Sequence, residues 1–132
     1  MVAVLDTHAV LWYLLDAKTL SPTAGSLIDE AATQGDPLYL SSISLVEVIY
    51  LVEKRRLPAD TLERLLAEVN REHSTFRVIP LDSSIAETVN RIPRDIVPDM
   101  PDRIIAATAL HLGLPLVTRD QRIQSAKITT IW

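Results

Sequence analysis

The chain has 132 residues, 13 Lys and Arg against 17 Asp and Glu, a net charge of −4, 48% hydrophobic residues and no cysteine. That is enough for one globular domain, which buries roughly two-thirds of its unfolded surface, and too little for two, so residues 1–132 are read as a single domain. The missing cysteines exclude a disulfide framework, a cysteine zinc site, an iron–sulfur cluster and a thiol nucleophile. The acidic balance argues against a passive nucleic-acid coat, though not against an enzyme whose excess carboxylates hold metal ions.

In chain order, Val2 to Leu5 reads as a short buried strand and Thr7 to Ala17 as a helix. Ser21-Pro22 starts a second helix, because Ser caps and Pro fits the first turn; it runs to about Ala32 and ends near Gly35. Leu38 to Leu40 is a second strand, and Ser41 or Ser42 caps a third helix over Ile43 to Arg55. Leu57-Pro58 breaks it. Pro58 to about Glu72 forms a fourth helix, with Leu62, Leu65, Leu66 and Val69 at helical spacing. Phe76 to Ile79 is a strand, and Ser83 to Arg91 a fifth helix. A proline-rich connection from Pro93 to Pro101 leads to a sixth helix, stopped by Gly113 with Pro115 beyond. Leu116 to Thr118 is a fourth strand and Lys127 to Ile131 a fifth. This alternation predicts an α/β fold, a three-layer sandwich around a mostly parallel five-stranded sheet.

The longest apolar run, Ala9 to Leu15, is far below the about 20 residues of a membrane span, and no basic, apolar leader precedes it. A cytoplasmic protein with no membrane partner is expected. Only three glycines are present, so no glycine-rich phosphate loop can be built.

In a parallel sheet, sites form beyond the carboxyl ends of the strands, and four carboxylates map there. Asp6 ends the first strand and also suits a helix N-cap. Glu47 interrupts an otherwise apolar helix, Ile43 to Val52, where an ionised carboxylate is costly without a partner. A capping box Ser44-x-x-Glu47 would explain it differently. Asp102 falls in the first turn of the sixth helix, where the helix dipole favours negative charge, and Asp99 lies three residues earlier. Asp120 follows the fourth strand, where an ordinary turn would also use Asp. Carboxylates this close need a compensating cation. Oxygen-only ligands suit Mg²⁺ or Mn²⁺, and such a site favours phosphodiester chemistry by metal-activated water.

Four stretches then carry a resemblance: Leu5-Asp-Thr-His-Ala9, Ser42-Ile-Ser-Leu-Val-Glu47, Asp99-Met-Pro-Asp-Arg-Ile-Ile-Ala-Ala-Thr-Ala109 and Leu114-Pro-Leu-Val-Thr-Arg-Asp120. In this order and spacing they resemble the PIN-domain ribonucleases, specifically the VapC-like toxins of type II toxin–antitoxin pairs, over nearly the whole chain. The resemblance implies a PIN-like fold and an endoribonuclease that needs Mg²⁺ or Mn²⁺. It implies Asp6 and Asp102 as the main metal ligands, Glu47 and Asp120 as further acidic catalytic positions, and Asp99 as a secondary one. Thr118 matches a position whose hydroxyl supports the cluster. An RNA substrate, a small antitoxin protein and a homodimer are the implied partners.

Arg91, Arg94, Arg103, Arg119 and Arg122 lie near the acidic positions in sequence. Phosphate contact and local pairing with acidic neighbours both explain them; Arg103 and Arg119 adjoin the expected ligands and are the candidates for RNA contact. His8 is a poor transition-metal ligand without a second histidine and is expected to pack or bond at its helix start. His73 and His111 are expected at the surface. Trp12 and Tyr13 are expected to pack in the core or a dimer contact rather than to stack bases. Two rival readings are a receiver-like signalling domain, with Asp82 as phospho-acceptor, and an inactive PIN-like binding module. The receiver lacks its paired acids and its lysine here, and the full acidic set argues against the inactive module.

Overall fold

A computed structural model describes residues 1–132. Its strands are β1 (Ala3–Leu5), β2 (Leu38–Ser41), β3 (Phe76–Ile79), β4 (Leu116–Val117) and β5 (Thr130–Ile131). Its α-helices are α1 (Thr7–Leu14), α2 (Pro22–Gln34), α3 (Ser42–Glu53), α4 (Thr61–Asn70), α5 (Ser83–Thr88) and α6 (Met100–Leu112). Two 3-10 helices cover Val89–Arg91 and Gln121–Ala126.

The strands pair in the order β3-β2-β1-β4-β5, and every pairing is parallel. The sheet is therefore wholly rather than mostly parallel. In β1, Val4 is opposite Tyr39 of β2 on one side and Leu116 of β4 on the other. A central strand covered on both faces has no polar side to present, and Ala3, Val4 and Leu5 are all fully buried.

Alternation along β1 divides the core in two. Ala3 and Leu5 join Val10, Leu11, Ile28, Val48 and Leu65 on the face covered by α1 to α4. Val4 joins Ile85, Ile105, Leu116 and Ile123 on the face covered by α5, α6 and the second 3-10 helix. The three layers follow from this split.

Local signals set most helix ends. Ser21 caps α2 by accepting from the Ala24 amide at 3.0 Å, with Pro22 in the first turn. Gly35 closes α2 in the left-handed conformation, as Gly113 closes α6. Ser41, not Ser42, caps α3. The differences lie at ends and connections. The first helix stops at Leu14, where Asp16 turns into the left-handed region (φ 52). The fourth spans only Thr61–Asn70, and the fifth gives way to 3-10 geometry at Val89. The final strand is confined to Thr130–Ile131, because Lys127 turns into the left-handed region (φ 64) as it closes the second 3-10 helix and so cannot start the strand.

Candidate active site

The strand order reverses between β1 and its neighbours: the chain runs from β1 outward to β2 and β3, then returns to place β4 on the other side of β1. A crevice at the carboxyl ends of the strands opens at such a point. A cleft of about 240 Å³ lies there, lined by Asp6, His8, Trp12, Asp102, Thr118, Arg119 and Asp120 together with apolar Ile105, Leu116 and Ile123.

Each acid is held by the element it heads. Asp6 leaves β1 with its backbone amide on the Val117 carbonyl and its carboxylate capping α1 through the Ala9 amide at 2.7 Å. The capping and site readings of Asp6 are thus compatible. Asp99 caps α6, accepting from the Asp102 amide at 3.3 Å, and Asp102 occupies the first turn. Asp120 caps the second 3-10 helix and is gripped by Arg122, with Nε and Nη2 each 3.0 Å from a carboxylate oxygen. Arg122 therefore serves local pairing.

Glu47 reaches the site from the second turn of α3. The helix begins at Ser42, which removes the capping box at Ser44. Glu47 instead accepts a hydrogen bond from the hydroxyl of Thr7. Thr7 also bonds the buried Ser44 hydroxyl at 2.8 Å. A hydroxyl has one proton, so Thr7 donates to Glu47 and accepts from Ser44. No local signal marks Thr7 as a partner, since Glu47 is 40 residues away.

One oxygen from each of Glu47, Asp99 and Asp102 lies within 4.8 Å of the others. Asp99, secondary in the sequence reading, thus belongs to the tightest group. Asp102 is the electrostatic hub. Burial, then the charges of Asp99, Glu47, Asp6 and Asp120, push its carboxyl up to about 7. Burial also raises Asp6, against the opposing Thr118 hydroxyl and Ala9 amide. Burial raises Glu47 too, against the Thr7 hydroxyl. Only Asp120 is lowered, by its hydrogen bonds from Arg122. Oxygen donors that resist ionising together fit a hard divalent cation of the Mg²⁺ or Mn²⁺ kind.

Thr118 is buried and accepts from the Asp120 amide at 3.1 Å, and its hydroxyl also acts on the Asp6 carboxyl at the end of β1. Arg103 donates from Nη2 to the Val89 and Ile92 carbonyls, at 3.1 and 2.8 Å. It anchors α6 to the first 3-10 helix rather than offering its guanidinium to a phosphate. Arg119 is exposed, with Cζ 5.9 Å from the Trp12 ring centre. Tyr13 packs against the core and Phe76 as expected. Trp12 joins neither core group and lines the cleft beside His8. Asp82 caps α5 at the end of β3, an edge strand away from the β1–β4 crevice, so the receiver-like reading is not favoured.

Comparison with known proteins agrees with this geometry. The family model of the PIN domain matches residues 3–128. Ribonuclease VapC22 of Mycobacterium tuberculosis is 30% identical over 131 residues, covering 97% of this chain and 96% of that protein. Among solved structures, VapBC2 from Rickettsia felis, bound to a DNA fragment from their promoter, superposes with a TM-score of 0.74 at 16% identity, covering 99% of this chain and 98% of that one. A toxin–antitoxin complex from Klebsiella pneumoniae gives a TM-score of 0.64 at 23% identity, covering 98% of this chain and 96% of that one. With the fold, the acidic crevice and a full-length sequence match in agreement, the chain belongs to the PIN-domain family, and its resemblance is to the VapC-like members.

Proposed function

We propose that this chain is a metal-dependent endoribonuclease acting as the toxin of a toxin–antitoxin pair, with residues 1–132 working as one catalytic domain. The observation that carries the reading is the convergence of acids from remote segments on Asp102: it shares a cleft with Asp6 and Asp120 and a tight oxygen cluster with Glu47 and Asp99, and the charges of all four act on its carboxyl. The full-length likeness to a protein named a ribonuclease supports the same reaction here.

Asp6 and Asp102 would hold the cation, with Glu47, Asp99 and Asp120 completing the acidic set. When bound, Mg²⁺ or Mn²⁺ supplies Lewis-acid chemistry, polarising a phosphate and making water nucleophilic near neutral pH. The chain's own groups do the positioning. Thr7 orients Glu47, Thr118 steadies the junction of Asp6 and Asp120, and Arg122 fixes Asp120. Arg119 is the exposed cation beside the cleft and is assigned the RNA phosphate contact. Arg103 supports that surface from behind through α6.

The likeness to toxin–antitoxin structures supports a small antitoxin partner. A homodimer is also proposed. Val46, Ile49 and Tyr50 give α3 an exposed apolar face that needs a cover. No helix is long and apolar enough to cross a membrane, and a cytoplasmic site of action is proposed.

The test is cleavage of single-stranded RNA by the purified chain with Mn²⁺ or Mg²⁺, beside EDTA and Asp6→Asn controls. Cleavage should fall to background in both. Activity that survives both would overturn the metal-dependent mechanism.

A further inference from the structure

We propose that Trp12, with His8 and Arg119, forms a stacking site for one unpaired nucleobase of the RNA beside the acidic cluster; this rests on the ribonuclease reading above. Trp12 is half-buried yet packs with neither core group. It lines the cleft shared with Asp6, Asp102 and Asp120. A half-buried indole in a cleft offers aromatic surface to a planar ligand.

The neighbours of Trp12 narrow that occupant. The His8 ring, one turn earlier on α1, sits 5.3 Å away and is tilted by 46°. Trp132 packs against Trp12 in a T-shaped arrangement at 5.7 Å and 65°. Neither lies parallel to the indole, so neither uses its face for parallel stacking. Only the Arg119 guanidinium stands over the ring. A nucleobase stacks on both an indole and a guanidinium plane, whatever its identity. The same arginine can turn to the adjoining phosphate, whose charge it complements.

α1 makes the spacing rigid. Its cap is Asp6, and His8 and Trp12 are one turn apart on the face above it. A base seated there belongs to a nucleotide adjoining the phosphate at the acidic cluster. That base must already be unpaired, which selects single-stranded or looped RNA.

The test is fluorescence anisotropy of a 5′-labelled, mixed-sequence single-stranded RNA dodecamer, with Ca²⁺ replacing Mn²⁺ to slow cleavage. Wild type is compared with Trp12→Ala, Trp12→Leu, which keeps apolar bulk without a π face, and Trp12→Phe. Binding should weaken roughly 5- to 150-fold in the Ala and Leu variants, the range of one lost base stack, and largely persist in Phe. A single abasic nucleotide walked along the RNA should weaken wild-type binding at one register and leave Trp12→Leu insensitive there. Unchanged affinity in Trp12→Leu would overturn the stacking site while leaving the ribonuclease reading intact. Loss of dimer in sedimentation, with RNA affinity unchanged, would also overturn it and make Trp12 an interface residue. If wild type neither binds the RNA nor cleaves it with Mn²⁺, the ribonuclease reading itself fails, and the stacking site with it.

Discussion

A hydroxyl proton decides how Glu47 is held. Thr7 is 2% exposed, and its side chain links Ser44 and Glu47 of α3 to the start of α1. Replacing it by Val keeps the shape but strands a buried hydroxyl and a carboxylate, which costs about 1–3 kcal/mol. Urea denaturation of Thr7→Val should show that loss, and Thr7→Ser should recover most of it. Groups that orient a metal-binding residue commonly change affinity by about 10- to 100-fold. Mn²⁺ titration of Thr7→Val should therefore also show weaker binding. The sequence marks Glu47 as anomalous, because a carboxylate in an apolar helix needs a partner. It does not mark Thr7, which reads as an ordinary helix start. Trp12 was hidden for a similar reason: an aromatic in an apolar run reads as core until the packing of its ring is known.

At the scale of elements, caps and breakers were legible because they act through bonds a few residues long. Ser21-Pro22, Gly35 and Gly113 fall where the chain chemistry requires them. The two kinds of glycine make opposite predictions. Gly113 has φ +66 and open space around an added Cβ, so Gly113→Ala meets no clash and only backbone strain. It should cost about 1 kcal/mol. Gly25 lies inside α2, where an added Cβ would make an ordinary 3.7 Å contact with Leu20. Gly25→Ala should stabilise by about 0.4–1 kcal/mol through lost freedom of the unfolded chain. Thermal melts of the two variants should move in opposite directions. The coil over Gln121–Ala126 escaped the sequence reading because short 3-10 turns carry weak periodicity. What holds this one is its Asp120 cap and the burial of Ile123 and Ala126.

At the scale of the whole molecule, the sheet order gathers acids that are strangers in sequence. Their burial, with their mutual repulsion added, gives the metal-free protein a signed pH dependence. Asp6, Glu47 and Asp102 are all raised on folding, mainly by burial, and Asp102 reaches about 7. Between the ordinary carboxylate range near 4 and about 7, the folded state binds more protons than the unfolded one, so stability falls as pH rises. Asp120 has the opposite sign, but its contribution is lost only below the ordinary carboxylate range, as pH falls through its lowered value. In EDTA, the Tm should therefore be lower at pH 8 than at pH 5.5. Asp102→Asn should flatten this trend, and Mn²⁺ should restore stability at pH 8 in wild type. A Tm that rises with pH over this range in EDTA would contradict the raised carboxyls.

The sequence by itself determined the α/β class, most helix starts and stops, the buried first strand and the identity of the acids. Those properties depend on periodicity, on capping and on the cost of charge among apolar neighbours. Only the tertiary structure decided that every strand is parallel and that β1 and β4 are adjacent. It also decided that Asp99 joins Glu47 and Asp102, that Arg103 is an anchor and that Trp12 lines the cleft. Each of these depends on contacts between segments far apart in the chain. No local preference encodes them, because they arise only when both faces of the sheet are covered at once.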